Sequence, residues 1–142
     1  MNLIQLLIFG LLAILCAVLV IYFGGYTPEP YRSRPCQGRA WKQAFPEKCK
    51  HEIRDYLHTV TDSFVFRKSQ KLQINPNDRI LALYKTIYPP GQLGIDNLEL
   101  EAFTINLENK YKINLRAIWS DELTFGRLYG YCNGSHTTIF DK

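Results

Sequence analysis

Three sets of side chains in this 142-residue chain have types and spacings that chemistry could use. His51, Asp55 and His58 recur at i, i+4 and i+7, on one side of a helix, and two imidazoles with a carboxylate can hold zinc. They lie opposite the apolar positions Ile53, Tyr56, Leu57 and Val60, where a helix normally meets water, and no fourth ligand accompanies them. No metal is expected. Cys132 and His136 could form a nucleophile–base pair, but no third group is placed to orient the histidine, and the chain is not expected to be an enzyme. The four cysteines contain no C-x-x-C pair. Cys36, Cys49 and Cys132 would remain thiols in a reducing compartment, and Cys36 and Cys49 could pair only in an oxidising one. Cys49 falls on the apolar side of its helix and is expected to be a buried, inert thiol. Asn133-Gly134-Ser135 matches a glycosylation acceptor, which is usable only outside the cytoplasm.

The elements that must position these groups begin with "LIQLLIFGLLAILCAVLVIYF", Leu3 to Phe23, which has no charge and only Gln5 as a polar residue. About 20 apolar residues at 1.5 Å each span a ~30 Å hydrocarbon core. A cleaved signal would want a basic start and a small-residue exit, and neither is present. Residues 1–26 are therefore expected to form a retained transmembrane anchor. Arg32, Arg34, Arg39 and Lys42 follow it against the single Glu29, which would put the N-terminus outside and the rest of the chain in the cytoplasm. Residues 27–44 read as a basic juxtamembrane linker. Arg32, Arg34, Arg39, Trp41 and Lys42 are expected there at the membrane surface, near anionic lipid headgroups. From Phe45 onward, 13 Lys and Arg face 12 Asp and Glu, too even a balance for nucleic-acid binding.

Residues 45–142 read as one small all-α domain. Ile53, Tyr56, Leu57, Val60 and Phe64 mark one face of a helix from about Pro46 or Glu47 to Val65. A second helix carries Ile80, Leu81, Tyr84 and Ile87, with Asn75 as its cap and Pro76 at its first position. Pro89, Pro90 and Gly91 stop it. A third starts at Asp96 or Asn97 and runs to Lys110 or Tyr111. A short last helix lies in "SDELTFGRLYGYC", and Asn133-Gly134 ends it.

The stretch "LGIDNLELEAFTINLENKY", Leu93 to Tyr111, resembles the recognition-helix region of acyl carrier proteins. Leu93, Gly94, Asp96, Leu98, Leu107, Glu108 and Tyr111 stand where that family has the same or similar residues. "LTFGRLYGY", Leu123 to Tyr131, stands where it has its last helix. "LYKTIYPPGQ", Leu83 to Gln92, reads as an insertion. Joined to the anchor read from residues 1–26, the resemblance gives the expected all-α architecture: a single transmembrane helix followed by a small acyl-carrier-like helical bundle. It also implies that position 97 should be the serine that receives the phosphopantetheine arm. The residue there is Asn97, an amide that caps a helix but cannot act as the nucleophile. No cofactor is expected.

In acyl carriers this helix is the main docking surface. Leu100, Phe103, Leu107 and Tyr111 share one face at 100° per residue, and Leu98, Ala102 and Ile105 share the other. Glu99, Glu101 and Glu108 flank that second face, giving Asp96 to Tyr111 a net charge of −3. The expected partner-binding set is Asp96, Leu98, Glu99, Glu101, Ala102, Ile105 and Glu108, and the partner a protein with a basic groove. The competing reading is that the insertion covers the second face. The function expected is therefore a membrane-anchored, non-catalytic interaction module. Two alternatives stand beside it: a working acyl or aminoacyl carrier modified at another residue, or a regulator acting through its span, where Ala13 and Ala17 are spaced for close helix approach.

Overall fold

The structure, a computed structural model, describes residues 3–23, 25, 27–64, 66–89 and 98–134, without the side chains of 3 and 20–23. Its helices are α1 (Leu3–Phe23), α2 (Gly38–Ala44), α3 (Lys50–Ser63), α4 (Ile80–Ile87), α5 (Leu98–Tyr111), α6 (Leu115–Ile118) and α7 (Phe125–Cys132), with a 3-10 helix at Lys68–Gln73. Among the described residues there is no strand, only an isolated antiparallel bridge between Arg79 and Thr124.

The first helix corrects an expectation. Its side chains are described over 4–19, all of them exposed. Among the described residues no helix is long and apolar enough to cross a membrane. That finding overturns the expected single span, the membrane and its anionic headgroups as partner, and the topology with a cytoplasmic C-terminal domain.

Residues 27–44 are no loose linker. Tyr31, Trp41 and Phe45 belong to the hydrophobic core, and Trp41 is 0% exposed. Its indole Nε1 donates to the Ile74 carbonyl at 2.7 Å, so the polar edge of a buried ring is satisfied. Trp41 cannot lie at a membrane surface in this arrangement. Around it stand Phe45, Tyr56 and Tyr129, with ring centroids 6.0, 6.0 and 5.8 Å away. Phe45 stacks on the indole, Tyr56 is tilted to it and Tyr129 meets it edge-on, and offset stacks and edge contacts are what the quadrupole of aromatic rings favours. The signal was hidden because two aromatic residues anchor the segment, whereas a face repeating every 3.6 residues does not form in a seven-residue helix.

Helix α3 fulfils its pattern: Ile53, Tyr56, Leu57, Val60 and Phe64 are all buried. It starts at Lys50, later than expected, behind a capping box in which Glu52 Oε2 accepts from the Cys49 amide at 3.1 Å. This reciprocal arrangement satisfies amides that the first turn leaves unpaired. Cys49 is consequently exposed at the helix entrance, against the expected burial. Helix α4 begins at Ile80. Asn75 and Pro76 instead form the turn before it, where the Asn75 side chain accepts from the Asn77 amide at 2.8 Å. Asp78 then accepts from the Asn75 amide at 2.7 Å and pairs with Arg34 at 2.5 Å. Further on, Ile80 N donates to Leu123 O, Phe125 N to Asp78 O and Gly126 N to Pro76 O, at 3.0, 3.0 and 2.8 Å. These bonds fasten the entrance of α7 to the entrance of α4.

Candidate docking surface

Helix α5 packs antiparallel on α3. Phe103 stacks on Phe64 at 4.8 Å between centroids, and Asn106 Nδ2 donates to Ser63 Oγ at 3.1 Å. One turn on, Lys110 Nζ reaches Thr59 Oγ1 and Asp55 Oδ2, each at 2.7 Å. The inner residues Phe103 and Leu107 are fully buried. On the outer side Leu98 is 62% exposed and Ile105 47%, with Glu101 and Ala102 exposed between them. Among the described residues these are the large apolar side chains left exposed outside α1.

The expected partner-binding residues do not all serve the same end. Leu98, Glu101, Ala102 and Ile105 form a continuous outward strip at i, i+3, i+4 and i+7. Glu108 turns to the structure instead: its Oε1 accepts from the Leu115 amide at 2.9 Å and holds the entrance of α6. Glu99 is only half-exposed, and one of its carboxylate oxygens is buried. Burial, and after it the Glu99 charge, raises the Tyr84 phenol above its ordinary pKa. Asp96 and Asn97 lie outside the described residues, as does most of the insertion beyond α4.

Of the set assigned to a membrane surface, Arg34 is engaged by Asp78 and Arg32 borders a small depression with Gly25 and Arg67. Arg39 and Lys42 line something that no single segment revealed, a groove of about 360 Å³ between α2, α3 and the 3-10 helix. Lys50, Ile53, Arg54 and Leu72 complete its wall, and the groove is absent from linear reading because its residues come from three separate elements.

The other reactive groups are placed less suggestively. Asp55 is bound by Lys110, and that hydrogen bond holds its carboxyl below the usual carboxylate range. Among the described residues no group of three His, Cys, Asp or Glu side chains is disposed to hold a metal. Burial pushes the Cys132 thiol up to about 12, so thiolate is scarce near neutrality. His136 lies outside the described residues.

Nothing among known family models, characterised proteins or solved structures matches this chain.

Proposed function

We propose that the chain is a non-catalytic interaction module, an acyl-carrier-like helical domain without its prosthetic group, which docks a partner protein through the outer strip of α5. The observation that carries this reading is the exposure of Leu98 and Ile105 on a helix whose inner side is already packed. Folding leaves this apolar strip in water although a polar residue would serve stability equally well, and an apolar strip with acidic neighbours suits a partner with a basic groove. Asn97 supplies no hydroxyl for a phosphopantetheine arm.

Two measurements test the reading separately. The first is intact mass of the chain and of Asn97→Ser after incubation with coenzyme A and a broad-specificity phosphopantetheinyl transferase. The serine variant gains the arm and the natural chain does not; a modified natural chain would make it a working carrier. For docking, a photo-crosslinking residue is placed at 105 and, as a control, at exposed Arg127. A discrete crosslinked partner is expected only from 105, and Leu98→Glu abolishes it. Equal crosslinking from both positions would remove the docking face.

A further inference from the structure

The groove between α2, α3 and the 3-10 helix has a charge pattern that stability does not account for. Among the described residues four Lys and Arg side chains pair with carboxylates, Arg34 with Asp78, Lys68 with Asp62, Lys110 with Asp55 and Arg79 with Glu122; the unpaired ones are scattered except at this groove, where four converge on one apolar depression. Around the groove stand Arg39, Lys42, Lys50 and Arg54, and among the described residues none of the four is paired with a carboxylate. Lys42 donates to the carbonyls of Pro46 and Lys48, which fixes its ammonium without neutralising it.

Two of these placements also carry a cost. Lys50 is the first residue of α3, at the positive end of the helix dipole, where a cation is disfavoured. Arg54 follows at i+4, so two like charges sit on one face of the helix, a further small destabilisation. Between the cations the floor is apolar, formed by Trp41, Ile53 and the half-buried Leu72. A solvated charged face has no need of a concave apolar floor. Four unneutralised cations together favour a multiply charged anion, and guanidinium groups match phosphate oxygens in pairs. The volume is that of a small-molecule site and too small for a partner helix.

We infer that this groove binds a small organic phosphate, its phosphate held among Arg39, Lys42, Lys50 and Arg54 and its apolar body resting on Ile53 and Leu72. The site is independent of the α5 docking strip and does not rest on the function proposed for it.

Phenyl phosphate is a suitable probe, titrated into the full chain by calorimetry while the indole N–H resonance of Trp41 reports location. Trp119, the other indole, lies in a different depression beside Thr104 and Arg116. Phenyl phosphate is expected to bind at least tenfold more tightly than inorganic phosphate, to shift the Trp41 resonance, and to weaken as salt rises. The double variant Lys50→Gln, Arg54→Gln weakens it at least tenfold while keeping or raising the thermal midpoint. Absence of binding, equal affinity for inorganic phosphate, or an undiminished affinity in the double variant each overturns the assignment. A phosphotyrosine tripeptide binding more than tenfold tighter than phenyl phosphate overturns it too, by making the ligand a modified protein.

Discussion

In the segment 27–45 Trp41 and Phe45 are buried among Tyr56 and Tyr129, whereas in α5 Leu98 and Ile105 stand in water. The first segment is polar on average and rich in Pro and Arg; the second is a 14-residue helix with apolar residues on two sides. Average composition therefore orders the two regions wrongly. What decides burial is whether a side chain meets a shaped partner. Trp41 meets three rings and a carbonyl, while Leu98 and Ile105 on the outer strip of α5 are left largely exposed.

The largest change expected breaks the first half of this contrast. Trp41→Ala removes a fully buried ring and costs about 3–5 kcal/mol of unfolding free energy, measured by chemical denaturation. Trp41→Phe keeps the packing but strands the Ile74 carbonyl, for about 1–3 kcal/mol. Tyr56→Phe sharpens the point by deleting the hydroxyl that donates to Phe125 O at 2.9 Å in the same core, with a similar expected loss of about 1–3 kcal/mol.

On the side where α5 meets α3 the effects shrink. The Asp55 carboxyl has a folded pKa below its unfolded one, so its contribution is present above the ordinary carboxylate range and fades as pH falls through the folded pKa. Lys110→Met should remove that acid-dependent part, below about 1 kcal/mol because both side chains are substantially exposed. Comparing unfolding of the two proteins across the acid range checks it. On the outer strip, Leu98→Glu and Ile105→Glu should stay within about 0.5 kcal/mol of the natural chain. A loss as large as that of Trp41→Ala would mean that the strip is part of the core after all. Thiol labelling gives a rate-based version of the same contrast. Exposed Cys36 and Cys49 should react with a maleimide at pH 8 well before Cys132, whose burial holds its thiol at about 12.

Periodic stretches were legible in the residues themselves. Ile53 through Phe64 announced α3, and the two faces of α5 could be drawn from 100° per residue before any packing was known. Boundaries were less so. Pro46 invited too early a start for α3, because the capping box of Cys49 and Glu52 uses an unusual cap residue. Asn75-Pro76 looked like a helix entrance but makes a turn. The four-residue helix α6 went unseen, although Asn114 accepts from the Ala117 amide at its start, at 3.2 Å. As for the candidate sites, the outer strip of α5 follows from one helix and was readable. The role of Glu108 depends on a residue seven positions away, and the basic groove on three elements, so neither has a local signature. Asn97, on which the question of an arm turns, is informative only as a residue type.

The bonds joining the entrances of α4 and α7 bear on how the protein is made. Tyr56 needs the carbonyl of Phe125, and Ile80 needs that of Leu123. Phe125 lies 69 residues beyond Tyr56 in the sequence. During synthesis, α3 and the ring of Trp41 emerge long before the residues that complete their surroundings. The core cannot close on a growing chain until residues 123–126 have been made, so its aromatic surface must be kept from other chains while the intervening stretch is synthesised.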